Sequence, residues 1–438
     1  MAKIKPFRAV IYNREKVKDL AKVVCPPYDI ISPERQRYYH ELNNYNLIHI
    51  LLGKEIPGED KYLRAANYFR EWLKDKILIQ DDRRAIYFYS QQYNLRGEKR
   101  TRLGFISLLR LGDKESPVFG HEHTRLEAKE DRYKLMKRVK ANLSPIFVVF
   151  PDKKRIIQRT YEKYVQHKTP FIEIKDEENI THRLWRLDDP VVLEVIQANM
   201  QDENIFIADG HHRYEVACAY REEMKKKLDA VTGEEDFNYI LSYFTNTDSH
   251  GLSILPIHRL LKLDTGPDSD NFRLNLEDYF DVEEIREKTR FFFLMEKGGR
   301  TEHVLGMYKD KRYWLLRLKN IKIPDNLLGD KPKEYRSLDV SILNHIVLKK
   351  ILGLDAQNKE NIKFSPSAEE LIEQADSGSS YIAFFLNPVK IGQIISVALT
   401  GERMPAKSTY FYPKVISGLV INKFDTSTAS QLRPSEAE

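Results

Sequence analysis

Leu63, Ala66, Phe69, Leu73 and Ile77 recur at three- and four-residue spacing, which predicts a helix with one buried face. Val216, Tyr220, Met224 and Leu228 repeat the pattern, with Arg221, Glu222, Glu223 and Lys225 between them as a polar face. Ser32-Pro33 supplies an N-cap and a first helical residue, opening a helix to about Asn43. A basic helix is expected over roughly Glu127 to Ala141, and a further helix over 338–353. Short apolar runs predict strands at Leu47–Leu52, Ile146–Phe150, Ile205–Ala208, Tyr381–Leu386 and Ile394–Leu399. Ala85–Leu95 and Thr101–Leu111, joined by the polar link Arg96-Gly97-Glu98-Lys99, predict a β-hairpin.

Residues 268–320 suggest more strand and hairpin material. Phe291-Phe292-Phe293-Leu294 is followed by a Gly298-Gly299 turn, then Val304-Leu305 and Tyr313-Trp314-Leu315-Leu316. Helices and strands are interleaved without an internal repeat, so the expected class is α+β, a mixed α/β protein. The pattern does not order the strands. The last residues, about Asp425 to Glu438, are small and polar and are expected to fray.

Composition narrows the function classes. A chain of 438 residues, 42% hydrophobic and 31% charged, can bury a core and has room for two or three domains. No apolar run approaches the roughly 20 residues of a membrane-spanning helix, so no membrane partner is expected. Basic residues near the N-terminus are followed by no apolar segment, so the expected compartment is cytoplasmic. Cys25 and Cys218 form no CxxC pair, which excludes a zinc ribbon or a redox motif of that type. The net charge of +6 suits anionic small molecules, and no nucleic-acid partner is expected. Nothing in the pattern sets the oligomeric state.

The densest chemistry is Asp209-Gly210-His211-His212-Arg213, between a buried strand and the helix that follows at once. A helix start offers backbone N–H groups and the positive end of its dipole to an anion. Gly210 permits a backbone conformation and an approach that a Cβ would obstruct. His211, His212 and Arg213 are the wrong sign for a bare helix start, and a bound phosphate resolves the conflict. Asp209 could then hold Mg²⁺ against the same phosphates. The plainer alternative makes Asp209 an N-cap and leaves the histidines satisfied by carbonyls.

A second candidate is His121-Glu122-His123-Thr124. If extended, it puts His121 and His123 on one face and Glu122 on the other. The histidines could bind metal, or Glu122 could be a general base with His123 beside it; otherwise the segment is a polar loop. Arg132 and Arg138 could reach phosphate, although a basic helix is commonly a solvated face. Asn142 precedes a Leu-Ser-Pro turn. Tyr28 and Asp29 end a rigid Pro-Pro-Tyr-Asp turn that either lines a ligand or punctuates the chain. Lys407-Ser408-Thr409 is not a P-loop, since Ala406 stands where the second glycine belongs. With Lys414 it could still cap an anionic ligand.

These motifs, in this order, resemble the widespread prokaryotic domain-of-unknown-function family numbered one thousand and fifteen. The resemblance runs from Pro26-Pro27-Tyr28-Asp29 through His121–Thr124 and Asp209–Arg213 to Lys407–Thr409, Phe411, Pro413-Lys414 and Ser417-Gly418-Leu419. The Asp-Gly-His-His-Arg turn is similar to that of the ParB/sulfiredoxin-like superfamily, whose free-serine kinases are the nearest functional analogy. That analogy spans about residues 115–225. It implies ATP or ADP and Mg²⁺ as cofactors and a small hydroxyl-bearing substrate. It implies Glu122 as base, Asp209 as metal ligand, and Gly210, His211, His212 and Arg213 on phosphate. Tyr28, Asp29, Asn142, Lys407, Ser408, Thr409 and Lys414 become substrate-side candidates.

The organisation implied is an N-terminal α/β region (1–114), a ParB/sulfiredoxin-like catalytic core (115–262), a β-rich subdomain or insertion (263–335), a C-terminal α/β region (336–424) and a tail (425–438). The leading reading is a small-molecule kinase acting on free L-serine. Two rivals stand beside it: a metal-dependent phosphoester hydrolase using His121, His123, Asp209, His211 and His212, and a non-catalytic nucleotide-binding regulatory protein.

Overall fold

A computed structural model describes residues 2–112, 117–228, 231–263, 269–355, 361–378 and 380–425. It is a mixed α+β structure in two compact units. The first comprises residues 1–120, 124–252 and 413–438, and the second comprises 121–123 and 253–412. Of the expected tail, residues 426–438 lie outside the described residues.

Among the described residues, the first unit is built on a nine-stranded sheet. Its order is Val118–Phe119, Ile205–Asp209, Ile146–Phe150, Tyr239–Asn246, Glu98–Arg110, Ile86–Leu95, Thr181–Leu187 and Ile172–Lys175, with Ile4–Lys5 pairing Glu98–Arg110 off that path. Pairing is antiparallel except where Ile205–Asp209 meets Val118–Phe119 and where Tyr239–Asn246 meets Ile146–Phe150. Strands with neighbours on both edges and packing on both faces need continuous apolar sequence. That accounts for the unbroken burial of Ile146–Phe150 and of Ile205–Ala208. The hairpin forms as expected, turning at Arg96-Gly97, both with positive φ. The helix after Ser32 spans Pro33–Leu42, and the Ser32 side chain accepts from the Arg35 amide.

Among the described residues, the second unit holds a six-stranded antiparallel sheet in the order Phe280–Ile285, Arg312–Leu318, Val304–Lys309, Tyr381–Phe385, His258–Lys262 and Ile362–Ser365. Phe291, Leu315, Leu371, Ala383 and Phe385 centre its core. A two-stranded pair, Ser253–Leu255 with Tyr410–Tyr412, belongs to the same unit.

Three short apolar runs read as strands are helices: Ile48–Leu51, Lys288–Gly298 (which contains Phe291–Leu294) and Ile391–Leu399. Four to six apolar residues in a row satisfy either period, so packing decides the outcome. Phe291 and Met295, four apart, are buried, while Phe293 is exposed. Segment 263–335 thus alternates helix and strand and is not purely β-rich. Arg221, expected on a polar face, is buried and donates to the Leu111 and Gly112 carbonyls.

Candidate functional site

In the first unit the strand Ile205–Asp209 ends on Asp209, and helix His211–Lys227 begins one residue later. Gly210 is the N-cap residue, with φ +93°. A Cβ there would lie 2.9 Å from Ile146 Cγ2 and 3.0 Å from the Arg213 guanidinium, so the turn requires glycine. The N-cap is therefore Gly210 and not Asp209. The helix's own bonding begins with the Tyr214 amide donating to the Gly210 carbonyl. The amides ahead of that bond belong to the first turn, whose N–H groups point out along the axis.

Asp209 is the meeting point of two cations. Its Oδ2 accepts from Arg213 Nη2 at 2.8 Å, and its Oδ1 accepts from Lys414 Nζ. All three side chains are about nine-tenths buried, at 11% exposure. Arg213 Nη1 also donates to the Pro145 carbonyl, while its buried Nε has no hydrogen-bond partner. Two positive groups, one carboxylate and a helix start make a local field that favours an anion.

Lys414 is held from beneath. Gln91 Nε2 donates to the Lys414 carbonyl at 2.8 Å, and Arg102 Nη2 donates to the Pro413 carbonyl at 2.6 Å and to Gln91 Oε1. Gln91 and Arg102 are fully buried, and the Arg102 guanidinium lies 4.5 Å from the Phe147 ring and 5.6 Å from that of Tyr243. The sequence reading missed both. Their signal was a charge and an amide placed at inward positions of apolar strands.

His211 is buried. His212 Nε2 accepts from the Arg125 amide at 2.9 Å. That nitrogen therefore carries no proton, and the ring is neutral with its proton on Nδ1. His212 is thus not the cation at this nitrogen that the sequence suggested. Thr124 and Lys129 both donate to Glu215 Oε2, at 2.5 and 3.2 Å.

Tyr28, Arg132, Asn142 and Arg213 converge on one cavity of about 50 Å³ in this unit, with Leu51, Leu135 and Val216 among its apolar walls. The Arg132 guanidinium stacks on Tyr28 at 4.3 Å, donates to the Leu51 carbonyl at 2.6 Å and pairs with Asp131. Burial raises the Asp131 carboxyl, but Arg132, Lys61 and Tyr62 outweigh it and hold the group down at about 2. Burial pushes the Tyr28 phenol up to about 12, with the Asp29 charge acting in the same direction. Asn142 Oδ1 accepts from the Leu241 amide and from Asn422, so it ties strands together. Asp29 is exposed, and Arg138 sits at the surface 3.7 Å from Asp60.

The second unit gathers the other two motifs. His121–His123 lies beside the 402–411 segment. The Met404 amide donates to the His121 carbonyl at 2.8 Å, Arg403 Nη1 donates to the Glu122 carbonyl at 3.3 Å, and His121 Nε2 lies 3.3 Å from Thr409 Oγ1. His121 is fully buried, Glu122 is half-buried and His123 is exposed. The two histidines do not share one environment, as the H-x-H pattern had suggested. Ser408 is buried, and its hydroxyl donates to Pro405. Lys407 has φ +58°, and its carbonyl accepts from Arg259 Nη2 at 3.0 Å. Burial pulls the Arg259 guanidinium down to about 9. Lys407–Thr409 thus belongs to a different unit from Lys414.

Residues 4–341 match the family described as "Protein of unknown function (DUF1015)". The chain belongs to that family. No curated protein matches this DUF1015 chain. Among solved structures, a free serine kinase variant in complex with ADP is similar at 10% identity and a TM-score of 0.35, over 72% of this chain and 91% of that one. SbnI with a C-terminal truncation, from Staphylococcus aureus, is similar at 9% identity and a TM-score of 0.37, over 74% and 92%. A conserved hypothetical protein from Pyrococcus furiosus is similar at 10% identity and a TM-score of 0.33, over 72% and 94%.

Mg²⁺, which the sequence resemblance implies, does not fit Asp209 as placed. Its single negative charge is already matched by two cations, one on each oxygen, which leaves it no net charge to offer a metal. Among the described residues, no group of three or more His, Cys, Asp or Glu side chains is arranged to hold a metal ion. Among them also, no helix is long and apolar enough to cross a membrane.

Proposed function

We propose that this DUF1015 chain is a nucleotide-dependent small-molecule kinase whose phosphate site is the Gly210–Arg213 turn with Lys414. The observation that carries the reading is the convergence of Arg213 and Lys414 on Asp209 at the start of helix His211–Lys227. Asp209 fixes both cations in a largely buried setting, so they are oriented before an anion arrives. The cost of ordering long side chains is then met in folding and not in binding. The helix start adds its dipole to the same point.

Phosphoryl transfer asks the protein for positioning and charge neutralisation, together with one group that takes the acceptor's proton. In this reading the acceptor oxygen bonds to the terminal phosphorus as the bridging bond to the nucleotide breaks, and a carboxylate base takes the acceptor proton. ATP or ADP is the donor. A small hydroxyl compound is the acceptor, with free L-serine the first candidate. Both assignments, and that of Glu122 as base, rest on the sequence resemblance. Arg132 and Asn142 support the cavity next to Arg213, since Arg132 donates to Asp131 and to the Leu51 carbonyl and Asn142 Oδ1 accepts from the Leu241 amide and from Asn422.

Calorimetric titration with ADP and ATP tests the binding half, and phosphorus NMR of mixtures with hydroxy amino acids tests the transfer half. The expected result is one nucleotide per chain, weakened at least tenfold by Arg213→Met or Lys414→Met, and O-phosphoserine among the products. Nucleotide affinity unchanged in both variants overturns the assignment of the site.

A further inference from the structure

Two histidines outside the proposed site face each other in an arrangement that the kinase reading does not use. His40 lies on helix Pro33–Leu42, and His49 on the short helix Ile48–Leu51. Their Nδ1 atoms are 3.1 Å apart. Each ring's other nitrogen faces a backbone carbonyl: His40 Nε2 lies 3.0 Å from Leu52 O, and His49 Nε2 lies 3.2 Å from Asn43 O. A carbonyl only accepts, so both Nε2 atoms must carry hydrogen. In the neutral rings both Nδ1 atoms are then bare lone pairs directed into the same small space. Two lone pairs at that distance repel unless a positive centre sits between them.

The centre can be a proton or a metal ion, and three observations favour the metal. The ring centroids are 4.5 Å apart and the planes are 85° from parallel. A straight N–H···N bond would separate the centroids by the nitrogen distance plus both ring radii, which is more than is found. The lone pairs therefore do not meet head-on. Second, an ion about 2.0–2.1 Å from each nitrogen would span 3.1 Å with an N–metal–N angle of about 100°, near tetrahedral. Third, an imidazole N–H held by a backbone carbonyl is the usual support behind a metal-binding histidine, since it fixes the tautomer and the ring direction.

Gln36 Nε2 donates to the Leu52 carbonyl at 2.9 Å, supporting the same acceptor that orients His40. The Tyr68 ring packs edge-on to His49 at 5.8 Å. Lys54 and Arg64 are the nearby cations, and Arg64 is itself paired with Glu59. His49 is partly exposed.

We propose that His40 and His49 form a two-nitrogen site for a borderline divalent transition-metal ion such as Zn²⁺, Ni²⁺ or Cu²⁺, with water completing the coordination. The site fastens the Ile48–Leu51 turn to the first helix. The Leu51 carbonyl, adjacent to the Leu52 carbonyl that orients His40, is the one that accepts from Arg132.

The test uses the full-length, untagged protein. Titration with Zn²⁺ and with Ni²⁺ is followed by calorimetry and by thermal denaturation. Cu²⁺ binding is followed by electron paramagnetic resonance. One ion per chain, a raised melting midpoint and hyperfine coupling from two nitrogens are expected. His40→Gln and His49→Gln should each abolish all three while circular dichroism confirms folding, and His303→Gln, in the second unit, should change nothing. Metal binding that persists in either single variant overturns the proposal. So does a wild-type protein that binds no ion, or one whose midpoint moves with pH between 4 and 7 but not with metal.

Discussion

Lys414 donates to Asp209 across 205 residues of sequence, on the carboxylate oxygen opposite the one that Arg213 holds. The two acid–base contacts make Asp209 a hub for cations. Removing the carboxylate from such a largely buried group leaves both cations facing each other, at a cost of about 3–5 kcal/mol. Asp209→Asn is therefore expected to lower the melting midpoint and yet to keep or strengthen nucleotide binding, since local positive charge rises. Lys414→Met should do the reverse to affinity. Calorimetry with and without Mg²⁺ decides the matter. A loss of affinity in Asp209→Asn that appears only with Mg²⁺ would return Asp209 to the role of metal ligand.

Gly210→Ala is expected to disturb the same site by strain alone. The residue has φ +93°, and the new methyl would press on Ile146 and on the Arg213 guanidinium. Backbone strain of this kind costs about 1–3 kcal/mol. Denaturant titration should show a loss of that size, and weaker nucleotide binding should accompany it because Arg213 is displaced. Equal stability and affinity would mean that the turn relaxes more easily than its packing indicates.

Much of this site was legible. A buried apolar run followed at once by Asp-Gly and a helical period announces a strand, a turn and a helix start, and they lie where expected. The His-Glu-His and Lys-Ser-Thr segments were both visible as polar exceptions. Their meeting through His121, Met404 and Thr409 was not, because nothing local couples residues some 280 apart. Lys407 and Lys414 read as one loop, although the chain passes between units at Pro413. His212 read as a potential cation, and the sequence does not show that the Arg125 amide occupies its Nε2.

Acid stability should carry the signature of Asp131. Its folded-state carboxyl is held at about 2, below the ordinary range, chiefly by Arg132. A depressed carboxyl contributes stability above its unfolded pKa and loses it as pH falls toward the folded value. The expected window is thus pH 4 down to 2, with about 1–2 kcal/mol at stake after screening. Asp131→Asn should flatten the pH dependence of unfolding there and leave the curve above pH 5 parallel to wild type.

Glu122→Gln probes the chemical step. The amide is close to the carboxylate in shape but accepts no proton, so binding of nucleotide and acceptor should survive. General-base catalysis contributes about 10²–10⁴-fold, and a fall of that order in kcat with little change in KM is expected. A variant as active as wild type on the best acceptor would remove Glu122 from the mechanism while leaving the phosphate site intact.

Arg102→Lys should separate positioning from contact. Arg102 lies in the same unit as Asp209 and donates to Gln91 and to the Pro413 carbonyl, next to Lys414 in the chain. Lysine keeps the charge but cannot present a planar fork to both acceptors while stacking on Phe147. The Pro413 carbonyl would lose that donor, while Gln91 would still donate to the Lys414 carbonyl. A buried acceptor left unsatisfied costs about 1–3 kcal/mol, so the melting midpoint should fall. Fold stability alone is not diagnostic, so the decisive measurement is the double-mutant cycle with Lys414→Met, read in nucleotide affinity. If Arg102 acts by placing Lys414, its effect on affinity should largely vanish once Lys414 is gone. Additive losses would show that Arg102 supports the site by a route other than Lys414.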